Sequence, residues 1–269
     1  MQILSSKLLI PVAVVIAVIL FWFRPGGIEG PRCELVPMSG KVFDHSGLTK
    51  VLSAVVSPDG TVDYGKLRAE PGPLNHYLGQ LAAKGPKNAP QLFRTNDDRL
   101  AYYLNAYNAF VLAAVRDHCP LDSVQTPYFE GGFFWRLSFV MGREELTLND
   151  LEAERIRGVS QQAPEVHLAL VKGARGSPAL GTVAFDPSTL KAQLHTLGEK
   201  TAKDPRYVSR EGNTLHLSTL FEWYKTDFGD VNTWIGQHAP DLVKGATTAE
   251  IKPFDWGLNG SCGATAGGG

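Results

Sequence analysis

The chain has 269 residues, of which 43% are hydrophobic and 20% are charged, and its formal net charge is −1. These proportions are typical of a globular protein and exclude a disordered chain. A chain of this length can form one or two domains around a sizeable core. Basic residues are scattered along the chain and balanced by acidic ones, so the positive field that attracts nucleic acid is missing. We therefore expect no nucleic-acid partner.

An uncharged apolar segment runs from Leu8 to Phe23, between Lys7 and Arg24. As a helix it would be about 24 Å long, against about 30 Å for the hydrocarbon core of a bilayer. The flanking cations can extend toward the headgroups, and the aromatic residues at the end of the segment suit a membrane interface. We predict a signal anchor over residues 1–24, and a cleaved signal peptide is the alternative. Both alternatives export the rest of the chain, and the anchor makes it a single-pass membrane protein.

Composition divides the remainder into three parts. Frequent Pro and Gly over residues 25–40 predict a linker, residues 41–259 are expected to form the globular domain, and the small residues of 260–269 predict a flexible tail. Export would permit disulfide bonds. The chain has three cysteines, which allow one internal bridge with its pairing left open: Cys33, Cys119 and Cys262. None of them forms a C-x-x-C pair, and we expect no bound metal or cofactor.

The first half of the chain is predicted to be helical. Apolar residues at helical spacing form one stretch after Asp44-His45 and a second over residues 74–81. The longest predicted helix extends over residues 96–118, with apolar side chains at spacings of three and four. Pro120 ends it.

The second half mixes hairpins with shorter helices. Residues 133–140, a turn and residues 146–148 predict a first β-hairpin, and residues 207–217 predict a second. Shorter helices are predicted over 149–157, 188–203 and 218–228, with one more before Pro240, whereas the apolar run 166–171 stays undecided. Because no β-α-β alternation occurs, we do not expect a parallel sheet. The predicted fold class is α+β: a helix-rich single domain with two short β-hairpins, after an N-terminal membrane helix.

Two asparagines lie in the middle of the longest predicted helix. Asn105 and Asn108 share one face, although asparagine is a poor helix former, and Tyr107 lies beside them. They form either a polar network that ties the helix to a loop or the wall of a polar site. In both cases we expect the two asparagines to be buried and hydrogen-bonded.

Four further residues are candidates for chemistry. Glu152 is either a helix-capping residue or a site residue. His167 lies in an apolar run, and Ser177 follows it in an irregular loop, so the pair gives a weak indication of an activated serine. His45 stands at a helix entrance, where it can cap the helix or contribute to a site.

In chain order these segments resemble the domain-of-unknown-function 547 family. The Asn-Ala-Tyr-Asn element is the most specific part of the match, and the resemblance extends from about residue 44 to residue 259. The matching stretches are Asp44-His45, residues 59–64, residues 104–109, residues 146–152, residues 166–170, residues 221–224 with Asp227-Phe228, and residues 254–259.

The family has no settled activity that the resemblance could transfer. Its members often have an exported domain, and they usually carry one cysteine after the His-hydrophobic-Ala-Leu element and a second one before a proline. A histidine near a loop cysteine invites an analogy with papain-like thiol hydrolases. Here Lys172 and Ser177 occupy the two cysteine positions, so the resemblance implies that any thiol chemistry is lost or changed.

Two functions remain open. The first is a membrane-anchored extracytoplasmic domain without catalysis, which binds or scaffolds an envelope protein or a small peptide-like ligand. The alternative is a papain-like-analogous hydrolase or transferase in which Ser177 replaces the family cysteine. Its catalytic residues would be His167, Ser177 and Glu152. Its substrate contacts would come from four residues: Asn105, Tyr107, Asn108 and His45.

Overall fold

A computed structural model describes residues 28–31, 33–38, 40–126, 132–160 and 163–263. The predicted membrane helix within residues 1–24 lies outside this part of the chain. Within the described residues, every helix is too short or too polar to span a bilayer.

The described chain is α+β and rich in helix, as predicted. Its helices are α1 (Ser46–Val55), α2 (Tyr64–Ala69), α3 (Gly72–Ala83), α4 (Asn96–His118), α5 (Gly132–Arg136), α6 (Leu148–Asp150), α7 (Arg157–Val159), α8 (Glu165–Leu168), α9 (Leu190–Lys203), α10 (Thr219–Trp223), α11 (Lys225–Phe228), α12 (Val231–His238) and α13 (Pro240–Val243). A 3₁₀ turn covers Pro90–Leu92, and a π-helical stretch, Leu151–Ile156, joins α6 to α7.

The strands are β1 (Ile28–Glu29), β2 (Val62–Asp63), β3 (Leu137–Met141), β4 (Glu144–Thr147), β5 (Val208–Glu211), β6 (Thr214–Ser218), β7 (Thr248–Lys252) and β8 (Gly260–Ser261). They form three small sheets with the orders β1-β3-β4, β2-β8 and β5-β6-β7. The two predicted hairpins are confirmed as the antiparallel pairs β3-β4 and β5-β6. The first hairpin begins later than predicted, because the aromatic residues before Leu137 belong to helix α5.

The expectation that parallel pairing would be absent is wrong. Strands β1 and β3, β2 and β8, and β6 and β7 all pair in parallel. Each pair joins segments that are distant in sequence, and two of the three pairs extend over only two residues. Such pairings need no regular β-α-β alternation, so the order of elements gave no sign of them.

Helix α4 lies at the centre of the main core, and all its side chains from Leu100 to Arg116 are buried. A capping box defines its start, because Thr95 and Asp98 bond each other's backbone N–H groups at 3.0 and 2.7 Å. The helix bounds agree with the predicted ones. A second, smaller cluster of buried side chains lies between the β5-β6 hairpin and helices α10 to α12. Leu197 and Phe254 contact both clusters.

Both ends of the described chain are attached to this domain. In the predicted linker, the backbone N–H of Val36 donates to Gly79 O at 3.1 Å. A side chain at Gly79 would exclude this contact, because its Cβ would lie 2.3 Å from the Glu34 carbonyl oxygen.

At the other end, Cys119 and Cys262 form a disulfide that links positions 143 residues apart, and strand β8 pairs with β2. Closing so long a loop reduces the conformational freedom of the unfolded chain. The first residues of the predicted flexible tail, 260–263, are therefore held against the domain, whereas residues 264–269 lie outside the described part. Cys33 is a free thiol.

Candidate functional site

The two asparagines of helix α4 hold two loops by their backbones. Asn105 donates to Phe185 O at 2.8 Å and accepts from Phe185 N at 2.9 Å. Asn108 donates to Ala169 O at 3.0 Å and accepts from Val171 N at 3.1 Å. Both side chains are buried. The prediction that they are buried and hydrogen-bonded is confirmed, and Asn108 fixes the backbone that leads directly into Lys172.

Ser177 braces the same loop. Its hydroxyl oxygen accepts a hydrogen bond from the backbone N–H of Lys172 at 2.9 Å, and its carbonyl oxygen accepts one from the Tyr207 hydroxyl. The side chain is only 1% exposed. Gly173 has φ +70°, a conformation that side chains disfavour, and it turns the loop immediately after Lys172. Within the described contacts, the Ser177 hydroxyl therefore faces backbone and is not paired with His167.

Lys172 reaches into a cluster of aromatic and acidic side chains. Its Nζ lies 3.4 Å from the Tyr107 hydroxyl and 3.7 Å from Glu152 Oε2. The ring centroids of Tyr107 and Phe134 are 5.8 and 5.7 Å from Nζ, within the range of cation–π attraction. Only 9% of the residue is exposed.

His167 is held on two sides. Its Nε2 lies 2.6 Å from Asp227 Oδ2, and its ring stacks on Tyr224 with the centroids 3.8 Å apart. A carboxylate only accepts hydrogen bonds, so we assign the ring proton to Nε2. Nδ1 is then an acceptor without a hydrogen-bond partner, 3.8 Å from Glu152 Oε1. Arg157 Nη1 lies 3.7 Å from the same Asp227 oxygen.

The environment sets the charges in this cluster. Burial lowers the pKa of His167 and outweighs the opposing effect of Asp227 and Glu152, so the imidazole is neutral at pH 7. Burial also acts to lower the pKa of Lys172, but Tyr224 and Glu152 outweigh it and the pKa is raised. Burial raises the pKa of Tyr107 and of Tyr224, which keeps both phenols neutral. Lys172 is therefore an ammonium donor and not an amine nucleophile.

Part of this cluster lines an open pocket, which we call the aromatic pocket. Its volume is about 520 Å³, and Tyr107, Glu152, Lys172 and Tyr224 lie among its lining residues, whereas His167 and Asp227 lie behind them. Four aromatic side chains form much of its wall: Phe134, Trp135, Trp223 and Trp256. Trp135 and Trp223 are 59% and 42% exposed. Large aromatic side chains that stay this exposed to solvent are typical of a binding site.

A second, larger cavity of about 770 Å³ is lined in part by Ala169 and Val171, just before Lys172 in the chain. Asn105 and Asn108 line it, but their amide groups are already hydrogen-bonded to the loops. Arg206 at its edge is paired with Asp204 at 2.7 Å. We assign the candidate site to the aromatic pocket, because the ionisable cluster lies there and size alone does not define a site.

The predicted site residues therefore separate into groups. Glu152 and His167 come together, and Tyr107 joins them. Asn105 and Asn108 support loops, and Ser177 braces the loop behind Lys172. Whether any of these residues acts on a substrate stays a prediction.

His45 lies in a third place, apart from the lining of both cavities. Its Nδ1 is 2.8 Å from the Tyr77 hydroxyl, and its ring centroid is 5.0 Å from that of Phe43. Its Nε2 is buried and has no hydrogen-bond partner. Burial lowers the pKa of His45 to about 4.

Sequence reasoning missed several members of the cluster. Asp227 and Tyr224 belong to a stretch that supported the family resemblance, but no role was assigned to them. Lys172 was recognised only as a replacement for a cysteine. In the part of the chain that the structure describes, no group of three or more His, Cys, Asp or Glu residues is arranged to hold a metal ion.

A family model described as "Protein of unknown function, DUF547" matches residues 92–200. The resemblance seen in the sequence is confirmed over these residues. The matched part includes Tyr107, Glu152, His167 and Lys172. Trp135 also lies within it, whereas Trp223, Asp227 and Trp256 lie outside it. No curated protein and no solved structure matches the chain.

Replacing Asn108 with Leu should lower the free energy of unfolding by about 1–3 kcal/mol, because the backbone groups of Ala169 and Val171 lose their partners. Urea unfolding followed by circular dichroism measures the effect. Asn232→Leu is the matched control: Asn232 is exposed on helix α12, and its replacement should change stability by less than about 0.5 kcal/mol. Equal effects of the two substitutions would contradict the role of Asn108.

His45 should make the fold sensitive to acid. Its pKa is about 4 in the folded protein against an ordinary value of 6.5, so between these pH values the unfolded chain binds more protons. The stabilisation is fully present above pH 6.5 and is lost as the pH falls toward 4. We expect this residue to account for a loss of about 2 kcal/mol between pH 7.5 and pH 5.

The measurement is the urea midpoint at several pH values for the native protein and for His45→Gln. The variant should show a flatter pH dependence by the amount given above. His76→Gln, which alters an exposed histidine of helix α3, should keep the native slope. An unchanged slope in His45→Gln would show that His45 does not titrate as a buried group.

Proposed function

We propose that this protein is a single-pass, membrane-anchored extracytoplasmic domain that binds a small peptide-like ligand in the aromatic pocket and catalyses no reaction. The observation that carries the proposal is Lys172. At the position where the family resemblance implies a cysteine, this chain places an ammonium group beside Glu152 and beneath exposed aromatic side chains.

Within the described residues, the lack of a nucleophile beside His167 supports binding over catalysis. The raised pKa of Lys172 keeps its amine protonated. A protonated amine cannot attack a carbonyl group. Cys119 and Cys262 are joined in a disulfide. The pair His167–Asp227 has the arrangement of a base with its orienting carboxylate, but the described residues bring no thiol or hydroxyl nucleophile into contact with it.

The competing function is a hydrolase or transferase with Ser177 as nucleophile. The bond of 2.6 Å between His167 and Asp227 favours it, since such pairs activate serine in known hydrolases. It would require Ser177 to leave its hydrogen bond with the Lys172 backbone and to reach His167. Because that bond lies in a buried loop, we rank binding first.

The aromatic pocket suits a small ligand with both apolar and polar parts. Its volume of about 520 Å³ lies within the range of small-molecule sites, and its walls offer ring faces for stacking. The side chains of Gln125 and Asn149 add amide groups that can bond peptide-like carbonyl and N–H groups. An envelope protein could present such a ligand as an exposed chain end.

Export rests on two features. The apolar segment Leu8 to Phe23 is the predicted anchor. The bond between Cys119 and Cys262 agrees with an oxidising compartment, where disulfides form and persist.

In cells that produce the full chain, Cys119 and Cys262 should be linked before lysis. Acid quenching followed by alkylation and mass spectrometry should label them only after reduction, whereas Cys33 should be labelled directly as an internal control. A chain without residues 1–27 should stay in the cytoplasm with all three thiols reduced. Direct labelling of Cys119 and Cys262 in the full chain would contradict export.

Ligand binding should be visible in the fluorescence of the pocket tryptophans. We expect a panel of N-acetylated tripeptides, each as free acid and as carboxamide, to contain binders that are recovered uncleaved. Trp223→Ala should weaken their binding by at least about tenfold through the lost stacking surface. Iodoacetamide should leave binding unchanged.

The matched control is Ile251→Ala, which truncates a side chain on strand β7 that is 44% exposed, close to the 42% of Trp223, but lies outside the pocket lining. This variant should bind like the native protein. Cleavage of the peptides that Ser177→Ala abolishes would favour the hydrolase. A panel without any binder would reject the proposed function.

A further inference from the structure

Charged side chains line the aromatic pocket. Among its described lining residues, Lys172 and Arg157 are cationic and Glu152 is the one carboxylate. The Arg157 guanidinium lies 3.7 Å from the Asp227 carboxylate, and its side chain is 47% exposed. The Lys172 side chain is 11% exposed, so Lys172 is the more buried of the two cations.

The contacts of the Lys172 ammonium are long. It carries three N–H donors, and it lies 3.4 Å from the Tyr107 hydroxyl and also interacts with Tyr224, which helps to raise its pKa. Its ion pair with Glu152 is also loose, at 3.7 Å. A buried charge is costly unless short hydrogen bonds compensate for the lost water. An anionic oxygen that enters the pocket would supply them.

We propose that the aromatic pocket recognises the C-terminal carboxylate of a peptide, with Lys172 receiving the carboxylate and Trp223 and Trp256 contacting the terminal side chain. This inference rests on the proposed function and names its ligand class. The two indole rings are 5.7 Å apart and inclined by 36°, so they form one continuous aromatic surface in the pocket that Lys172 also lines.

The surroundings of Lys172 favour a carboxylate over a phosphate. Glu152 Oε2 is 3.7 Å from Nζ, so any anion bound to Nζ lies close to this negative charge. A carboxylate brings one charge against it, whereas a phosphate near pH 7 brings nearly two. The neutral hydroxyl of Tyr107 can donate to the second carboxylate oxygen. An ammonium end of a ligand would instead be repelled by Lys172.

The test compares N-acetyl-Ala-Ala-Phe as the free acid with its carboxamide, which differs only at the terminal group. We expect the native protein to bind the acid at least about tenfold more tightly, because a charge-assisted hydrogen bond is lost in the amide. Lys172→Met should abolish this preference and bind both forms equally weakly. Lys200→Met, which alters an exposed lysine that lines the larger cavity, should keep the preference.

A second variant covers the case in which Lys172→Met fails to fold because Glu152 loses its partner. Lys172→Met combined with Glu152→Gln removes both charges and should also bind the acid and the amide equally. Equal binding of the two peptides by the native protein would overturn the carboxylate inference while the proposed function stands. A preference for the acid that survives loss of Lys172 in folded protein would overturn the role of this residue.

Two further outcomes separate the remaining possibilities. Stronger displacement of the peptide by inorganic phosphate than by acetate would overturn the choice of a carboxylate. Failure of both peptide forms and of the whole tripeptide panel to bind would reject the proposed function together with this inference.

Discussion

The hydrogen bonds of Asn108 connect the helical core to the loop that carries the site. Helix α4 is buried along most of its length, so a polar side chain on it must find partners inside the protein. Asn108 finds them in Ala169 O and Val171 N, at 3.0 and 3.1 Å. The Asn108 amide thereby satisfies two backbone groups that a neighbouring strand would bond in a sheet, because this segment is irregular. These two hydrogen bonds hold the backbone just before Lys172, and they therefore help to set the position of Lys172 relative to Tyr107 and Glu152.

The candidate site lies where two hydrophobic clusters meet. Tyr107 belongs to the cluster around helix α4, while Tyr224 belongs to the smaller cluster around helices α10 to α12. His167 stacks on Tyr224 and bonds Asp227, so it attaches the second cluster to the loop. Each cluster therefore contributes one wall of the aromatic pocket, and the pocket's shape depends on how the two pack together.

Local signals in the sequence predicted the local structure well. The apolar spacing and Pro120 gave helix α4 its correct bounds, and the turn residues gave both hairpins. Pairings between distant segments were not predictable in this way. Strand β7 joins the second hairpin after an intervening run of helices, and nothing in its own composition marks strand β6 as its partner.

The difference between local signals and contacts between distant segments also explains why only some of the site residues were predicted correctly. Glu152 was singled out as a helix-capping or site residue and His167 as a polar residue in an apolar run, and they prove to be neighbours, with Nδ1 and Oε1 3.8 Å apart. Ser177 was paired with His167 because the two are close in sequence, yet its hydroxyl faces backbone. Asp227, 60 residues from His167 along the chain, had no local feature that could indicate the contact.

The short strand β1 also determines how the domain responds to mechanical tension. Ile28 and Glu29 pair in parallel with Leu137 and Ser138, and Gly30 N donates to Ser138 O at 2.8 Å. A pull on the chain from the side of its N-terminus first loads these few hydrogen bonds and the contact between Val36 and Gly79. They can detach and lengthen the connection while the core and its disulfide stay intact. These contacts before helix α1 are therefore the part of the described domain that such a pull would open first.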